Sequence, residues 1–293
     1  MSDSFKILVP IGFSEQSLNA LNQALIFAKA SENAQFTILS VIEDTRAFAK
    51  LFDSKNSDDL RQKVTEEVKK IAEEFSKKSG FTVNTMIAEG VVYEEIARVS
   101  TLIDADLVIM GTNGKPQNLR KRFIGSNAYR TATLVKPPVV TIKGVRNIDK
   151  IETIIFPLLM DRHSKEKVGP ALKYARIFGS KILVVGVKED ESKLNILRGH
   201  MHQVEKFITD HGVVCETTLI ENPKRKSVVR NILNHAYEAK GDLVIITEED
   251  GPGSDLSDYL LGNELQEVIY HSEIPVMSIT PRAVKYDSMW DSF

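Results

Sequence analysis

Apolar positions along the chain alternate between two periods. Short β-rich runs occupy residues 5–10, 35–41, 82–87, 106–110 and 138–142. Between them apolar residues recur every three or four positions: Leu18, Leu21, Leu25, Ala28; then Val64, Val68, Ile71, Phe75; then Ile96, Val99, Ile103. Each set is the stripe of a helix with one buried face. Ser14 stands where an N-cap is wanted, its side-chain oxygen accepting from the free amides of the first turn. Strands separated by helices of this length predict βαβ units, and therefore a parallel sheet covered on both faces.

The pattern then repeats. Lys6-Ile-Leu-Val-Pro10 and the helix around Ala24-Leu-Ile-Phe-Ala return as Thr153-Ile-Ile-Phe-Pro157 and Ala171-Leu-Lys-Tyr-Ala, at an offset of 147. Ala105-Asp-Leu-Val-Ile-Met110 answers to Gly241-Asp-Leu-Val-Ile-Ile246 at 136, and Pro138-Val-Val to Pro275-Val-Met at 137. Four matches in one order mark a duplication. Leu194, Leu197, Met201, Val204 and Phe207 form the second helix stripe of the later copy, which lacks the stretch at 45–60 that reads as a polar loop in the first. The expected fold is α/β, with two Rossmann-like, doubly wound, five-stranded parallel-sheet domains in tandem. The expected domains are residues 1–146 and 147–293, joined through a polar stretch near Gly144–Lys150. Ligands on such sheets sit beyond the carboxyl ends of the strands, where the winding direction reverses.

Composition narrows the classes without naming one. A chain of 293 residues exceeds a usual single domain, and 42% hydrophobic with 27% charged residues suits a globular protein with real cores. A net charge of −2 gives no reason to expect nucleic acid or an anionic membrane as partner. Cys215 is the single cysteine, so no internal disulfide forms. No apolar run approaches the ~18 residues of a membrane span, and no signal pattern opens the chain, so a cytoplasmic protein is expected.

Candidate chemistry gathers after the fourth strand of the first copy. Met110-Gly-Thr-Asn-Gly-Lys-Pro-Gln-Asn-Leu-Arg-Lys-Arg-Phe-Ile-Gly-Ser-Asn127 leads into a helix. Gly111 and Gly114 free the backbone to turn and approach a ligand. Gly125-Ser126 opens the helix, whose amides and dipole favour an anion, and Ser126 can add a hydroxyl donor. Lys115, Arg120, Lys121 and Arg122 bring positive charge to the loop. The same glycines and serine also serve as ordinary turn and cap residues, and the position after the central strand tips the reading toward phosphate.

These residues, together with Ile7-Leu-Val-Pro-Ile-Gly-Phe-Ser-Glu15 and the closing Pro138-Val-Val, resemble the universal stress protein family. The resemblance spans residues 5–143 and 151–281, and so implies a tandem universal stress protein. It implies a non-enzymatic, cytoplasmic stress-response protein that binds an adenine nucleotide, ATP or AMP, with Mg²⁺, in the first copy. It would place the nucleotide against Pro10, Ile11, Gly12, Val41, Met110, Gly111, Asn113, Gly114, Gly125, Ser126 and Asn127. It implies pairing through the last strands, here Val139-Val140 against Val276-Met277 as an intramolecular pseudo-dimer, which could pair again as a homodimer with an unknown protein partner beside it. The chain departs from the family twice. Ten residues separate Gly114 from Gly125 where the ATP-binding pattern Gly-x2-Gly-x9-Gly-Ser/Thr has nine, and Gly12 stands where an Asp contacts the nucleoside.

The corresponding loop of the second copy begins Thr247-Glu-Glu-Asp250 and adds Asp255 and Asp258, a charge that repels phosphate. Gly262-Asn263 survives there as a helix start, and this copy is expected to bind no ATP. His200 and His202, two apart on a helix, point to different faces and read as surface residues. Cys215 reads as a packed residue, and no nucleophile–base arrangement is evident. Residues 285–293 carry the single Trp and read as a docking tail or a frayed end. A nucleotide-free scaffold with both sites decayed is the alternative reading.

Overall fold

A computed structural model describes residues 4–28, 31, 33–43, 45–54, 56–112, 127–144, 149–158, 168–188, 191–221, 228–247 and 262–279. The first half runs β1 (Lys6–Ile11), α1 (Glu15–Ala28), β2 (Gln35–Ile42), α2 (Thr45–Leu51), α3 (Ser57–Ser79), β3 (Thr82–Glu89), α4 (Val92–Leu102), β4 (Leu107–Thr112), α5 (Asn127–Leu134) and β5 (Val139–Lys143). The second runs β6 (Thr153–Leu158), α6 (Val168–Phe178), β7 (Lys181–Lys188), α7 (Leu194–Asp210), β8 (Cys215–Glu221), α8 (Val228–Glu238), β9 (Leu243–Thr247), α9 (Gly262–His271) and β10 (Val276–Ile279).

The ten strands form one sheet in the order β3-β2-β1-β4-β5-β10-β9-β6-β7-β8. Each half is parallel and doubly wound, because β1 pairs with β2 on one side and β4 on the other, and β6 pairs likewise with β7 and β9. The halves join at one antiparallel seam, where Val276, Met277 and Ser278 face Thr141, Val140 and Val139. The expected pseudo-dimer pairing is thus a backbone ladder. The expected boundary at residue 146 lies outside the described residues.

Burial follows strand alternation. Ile7, Val9, Phe36 and Ile38 face α1 and α3 on one side; Leu8, Leu39, Val41 and Val108 face α4 and α5 on the other. Both layers continue across the seam into the second half, so the halves share their cores. Phe27 of α1 meets Phe178 of α6 edge-on at 5.7 Å on the first face. The repeated Asp-Leu-Val-Ile motif also gains a reason. Asp106 Oδ2 accepts from the Lys6 amide at 2.9 Å, and Asp242 Oδ2 accepts from Glu152 and Thr153 at 2.9 and 3.0 Å. In each half one carboxylate fastens the central strand to the start of the first.

One expectation is corrected. Residues 45–60 are not simply a polar loop, because α2 and the first turn of α3 lie there. The short helix α2 forms because Phe48 and Ala49 share a face with the following Phe52, and all three pack on the core. Phe48 and Phe52 meet Phe13 at 6.1 and 5.0 Å between ring centroids, both edge-on. The period of that stretch is too short to stand out among its polar residues.

Candidate functional site

The crevice of the first half lies where β1 and β4 part. Ile7 pairs with Leu107 and Leu8 with Val108, but no ladder pair follows, although β1 runs on to Ile11 and β4 to Thr112. Past Leu8 the strands diverge toward their carboxyl ends, at the point where the winding reverses. That is the ligand position of doubly wound sheets.

Of the residues expected at a nucleotide site, Pro10 and Ile11 end β1 and are buried, and Gly12 follows them, exposed. Val41 is buried near the end of β2, Met110 and Gly111 lie near the end of β4, and Asn127 opens α5 exposed. These seven share the carboxyl rim of β1, β2 and β4. Asn113, Gly114, Gly125 and Ser126 lie outside the described residues, as do Lys115, Arg120, Lys121 and Arg122. The acidic stretch 248–261 and the tail 280–293 lie outside them as well.

Two glycines on this rim differ in kind. A Cβ on Gly111 would stand 2.5 Å from the Gln16 carbonyl oxygen and 2.9 Å from the Ser17 nitrogen. The first turn of α1 therefore presses directly on β4, and Gly111 is demanded by helix–strand packing. Around Gly12 a Cβ would meet nothing within 4 Å among the described residues, so its missing side chain leaves open space among them at the crevice.

Hydroxyls hold the start of α1 against β1. Ser14 Oγ accepts from the Ser17 amide at 3.2 Å, the expected N-cap. Ser17 Oγ donates to the Ser14 carbonyl at 2.8 Å and accepts from the Gly12 amide at 3.2 Å. The next residue, Phe13, has φ 59°, a left-handed conformation uncommon for a bulky side chain. Its ring is gripped by Phe48 and Phe52, which fixes the turn leaving β1.

On the opposite face, Glu43 Oε1 accepts from the Val92 amide at 3.3 Å and so caps α4, whose own N-cap residue Val91 makes no side-chain bond. Arg130 Nη1 of α5 donates to Tyr93 Oη of α4 at 3.0 Å. Two buried hydroxyls at the rim, Ser40 Oγ and Thr112 Oγ1, have no hydrogen-bond partner among the described residues. Sequence reasoning missed these residues. Only Arg130 carried a legible signal, as a cation in the opening turn of a helix.

His202 is exposed, and Cys215 is half-buried with its thiol pushed up to about 12, chiefly by burial and then by the Glu205 and Glu216 carboxylates. Among the described residues no three His, Cys, Asp or Glu side chains cluster to hold a metal ion, and no helix is long and apolar enough to cross a membrane.

The fold defines a tandem of doubly wound α/β domains in which β1 and β4 part toward their carboxyl ends. The profile of the universal stress protein family matches residues 4–143. Two universal stress proteins of Methanocaldococcus jannaschii are 29% identical over 154 residues and 32% identical over 145 residues, each covering 47% of this chain and 94% and 81% of their own lengths. A solved universal stress protein from Archaeoglobus fulgidus DSM 4304 covers 95% of this chain and 97% of its own, with a TM-score of 0.75 at 19% identity, a likeness of fold. The chain belongs to the universal stress protein family.

Proposed function

We propose that this chain is a non-enzymatic stress-response protein that binds an adenine nucleotide, ATP or AMP, in its first half, and that it works in the cytoplasm through nucleotide-dependent choice of protein partner. The observation that carries the reading is the parting of β1 and β4 beyond Leu8 and Val108, at the end of the sheet where Ile11, Gly12 and Gly111 lie. Family membership and the cationic loop 113–126, with Gly114, Gly125 and Ser126, support it. Val41 would offer backbone contacts to the base. Mg²⁺ would arrive on the nucleotide phosphates, since no carboxylate cluster of the described residues would hold it alone. Domain limits of 1–146 and 147–293 go with this reading, the second domain being the silent one.

Calorimetric titration of the full chain with ATP and AMP tests it. Saturable heat from either nucleotide is expected. No heat from both, from folded protein that carries no nucleotide through purification, overturns the reading.

A nucleotide-free scaffold is favoured by two observations: Gly12 removes the family's carboxylate, and the crowding at Gly111 accounts for that glycine without a ligand. On that reading the same partners would be captured with and without ATP.

A further inference from the structure

The first turn of α5 ends in a cation that the helix's own dipole disfavours. Its first turn contains no acidic residue and includes Arg130, whereas the positive end of a helix stabilises anions. The guanidinium is part-buried and, among the described residues, is held by the Tyr93 phenol alone: besides the bond to Tyr93 Oη, its Cζ stands 4.9 Å from the Tyr93 ring centroid. Among the described residues no carboxylate pairs with it, and Glu95, two residues past Tyr93 on α4, is bound to Arg98 at 2.7 Å. Residues 113–126 bring no counter-ion either, since they contain four cations and no acidic residue.

A second observation points the same way. Thr112 is 5% exposed and its hydroxyl has no partner among the described residues. Strand alternation puts its side chain on the face of Val108 and Met110, where Ala128 and Ala132 of α5 also pack. A buried hydroxyl without a partner is a donor awaiting an acceptor.

The repeat supplies an internal control. With Gly125 matched to Gly262, Arg130 corresponds to Glu267, and with Val92 matched to Val228 as first residues of α4 and α8, Tyr93 corresponds to Val229. The second half has thus replaced the cation by a carboxylate and the phenol by an aliphatic side chain. The same half carries the acidic loop.

We propose that Arg130 is a phosphate-binding residue of the first half, with Tyr93 as the positioning residue that holds the guanidinium at the rim and Thr112 Oγ1 as a second donor. The group recognised is a terminal phosphoryl dianion. It rests on the nucleotide reading only for what that phosphoryl is attached to.

Calorimetry on the full chain with ATP, adenosine and inorganic tripolyphosphate separates the two. Arg130→Gln weakens ATP and tripolyphosphate about tenfold or more and leaves adenosine within about twofold, because a charge-assisted contact to phosphate is lost and the base is untouched. Arg130→Lys recovers part of the loss, restoring charge without the planar fork. Tyr93→Phe weakens ATP more than adenosine, and Arg98→Gln, an exposed control of equal charge change, alters neither. The inference is overturned if Arg130→Gln binds ATP and tripolyphosphate like wild type, if adenosine falls as far as ATP, or if wild type binds none of the three. Arg130-dependent binding of tripolyphosphate with no contribution from adenosine upholds this inference and sinks the nucleotide reading.

Discussion

Ser278 Oγ donates to the Val139 carbonyl at 3.1 Å, across the seam between the two halves. The bond is returned by symmetry, since Thr141 Oγ1, 137 positions before Ser278 in sequence, donates to the Val276 carbonyl at 3.4 Å. Between the two bonds Val140 and Met277 face one another, both fully buried. The ladder and two shared core layers make the halves one cooperative unit. Calorimetric unfolding is expected as a single transition, with Met277→Ala lowering stability by about 2–4 kcal/mol through the cavity it leaves. Two resolved transitions in the wild type would contradict this.

Gly12→Asp restores the carboxylate found in the family, where a Cβ meets nothing within 4 Å among the described residues. Stability should change by less than about 0.5 kcal/mol. If the first half binds a nucleoside there, affinity should rise about tenfold to a hundredfold, the worth of one charged hydrogen bond. Titration of wild type and variant with ATP in parallel measures it, and equal affinities would mean the ribose does not reach this corner.

Gly111→Ala behaves differently, because its Cβ would fall 2.5 Å from the Gln16 carbonyl oxygen. Backbone must move, at a cost of about 1–3 kcal/mol or more. The loss should appear as a lower urea midpoint in protein without ligand. An unchanged midpoint would show that α1 can yield, and would hand this glycine back to the ligand.

Cys215 should be a sluggish thiol. Burial first, then Glu205 and Glu216, push it up to about 12. The native chain therefore holds this proton more tightly than the unfolded chain. The associated stability is complete below the ordinary thiol range, near 8.5, and is lost as pH rises from there through about 12. At pH 8 alkylation by iodoacetamide should run at least a hundredfold slower than for free cysteine, in keeping with scarce thiolate. Mass spectrometry of timed samples decides the point, and labelling at the free-thiol rate would refute it.

The fold was legible because its signals are periodic and occur twice. Apolar runs marked the strands, and the stripe Val64-Val68-Phe75 is buried in α3 as expected. In α1, by contrast, the buried face is Ala20, Leu21, Ala24, Phe27 and Ala28, with the expected Leu18 and Leu25 only half-buried. The seam followed from the family resemblance and the repeat, and Val140 against Met277 is where it falls. What stayed hidden depends on long-range contact. Nothing local says that Gly111 lies under the Gln16 carbonyl, or that Tyr93 and Arg130, 37 positions apart, touch. The helix α2 escaped notice because seven residues give too few turns for a stripe, and its partner Phe13 belongs to another element.

The antiparallel seam has one more consequence. Since β10 runs against β5, the strands of the two halves point in opposite directions, and their carboxyl ends emerge at opposite edges of the sheet. In an assembly of two identical chains every substitution at one rim would be copied at the other. Covalent fusion removes that duplication, so Arg130 and Glu267 can stand at equivalent places with opposite charge. The two rims are thus free to diverge in sequence, as these two residues do.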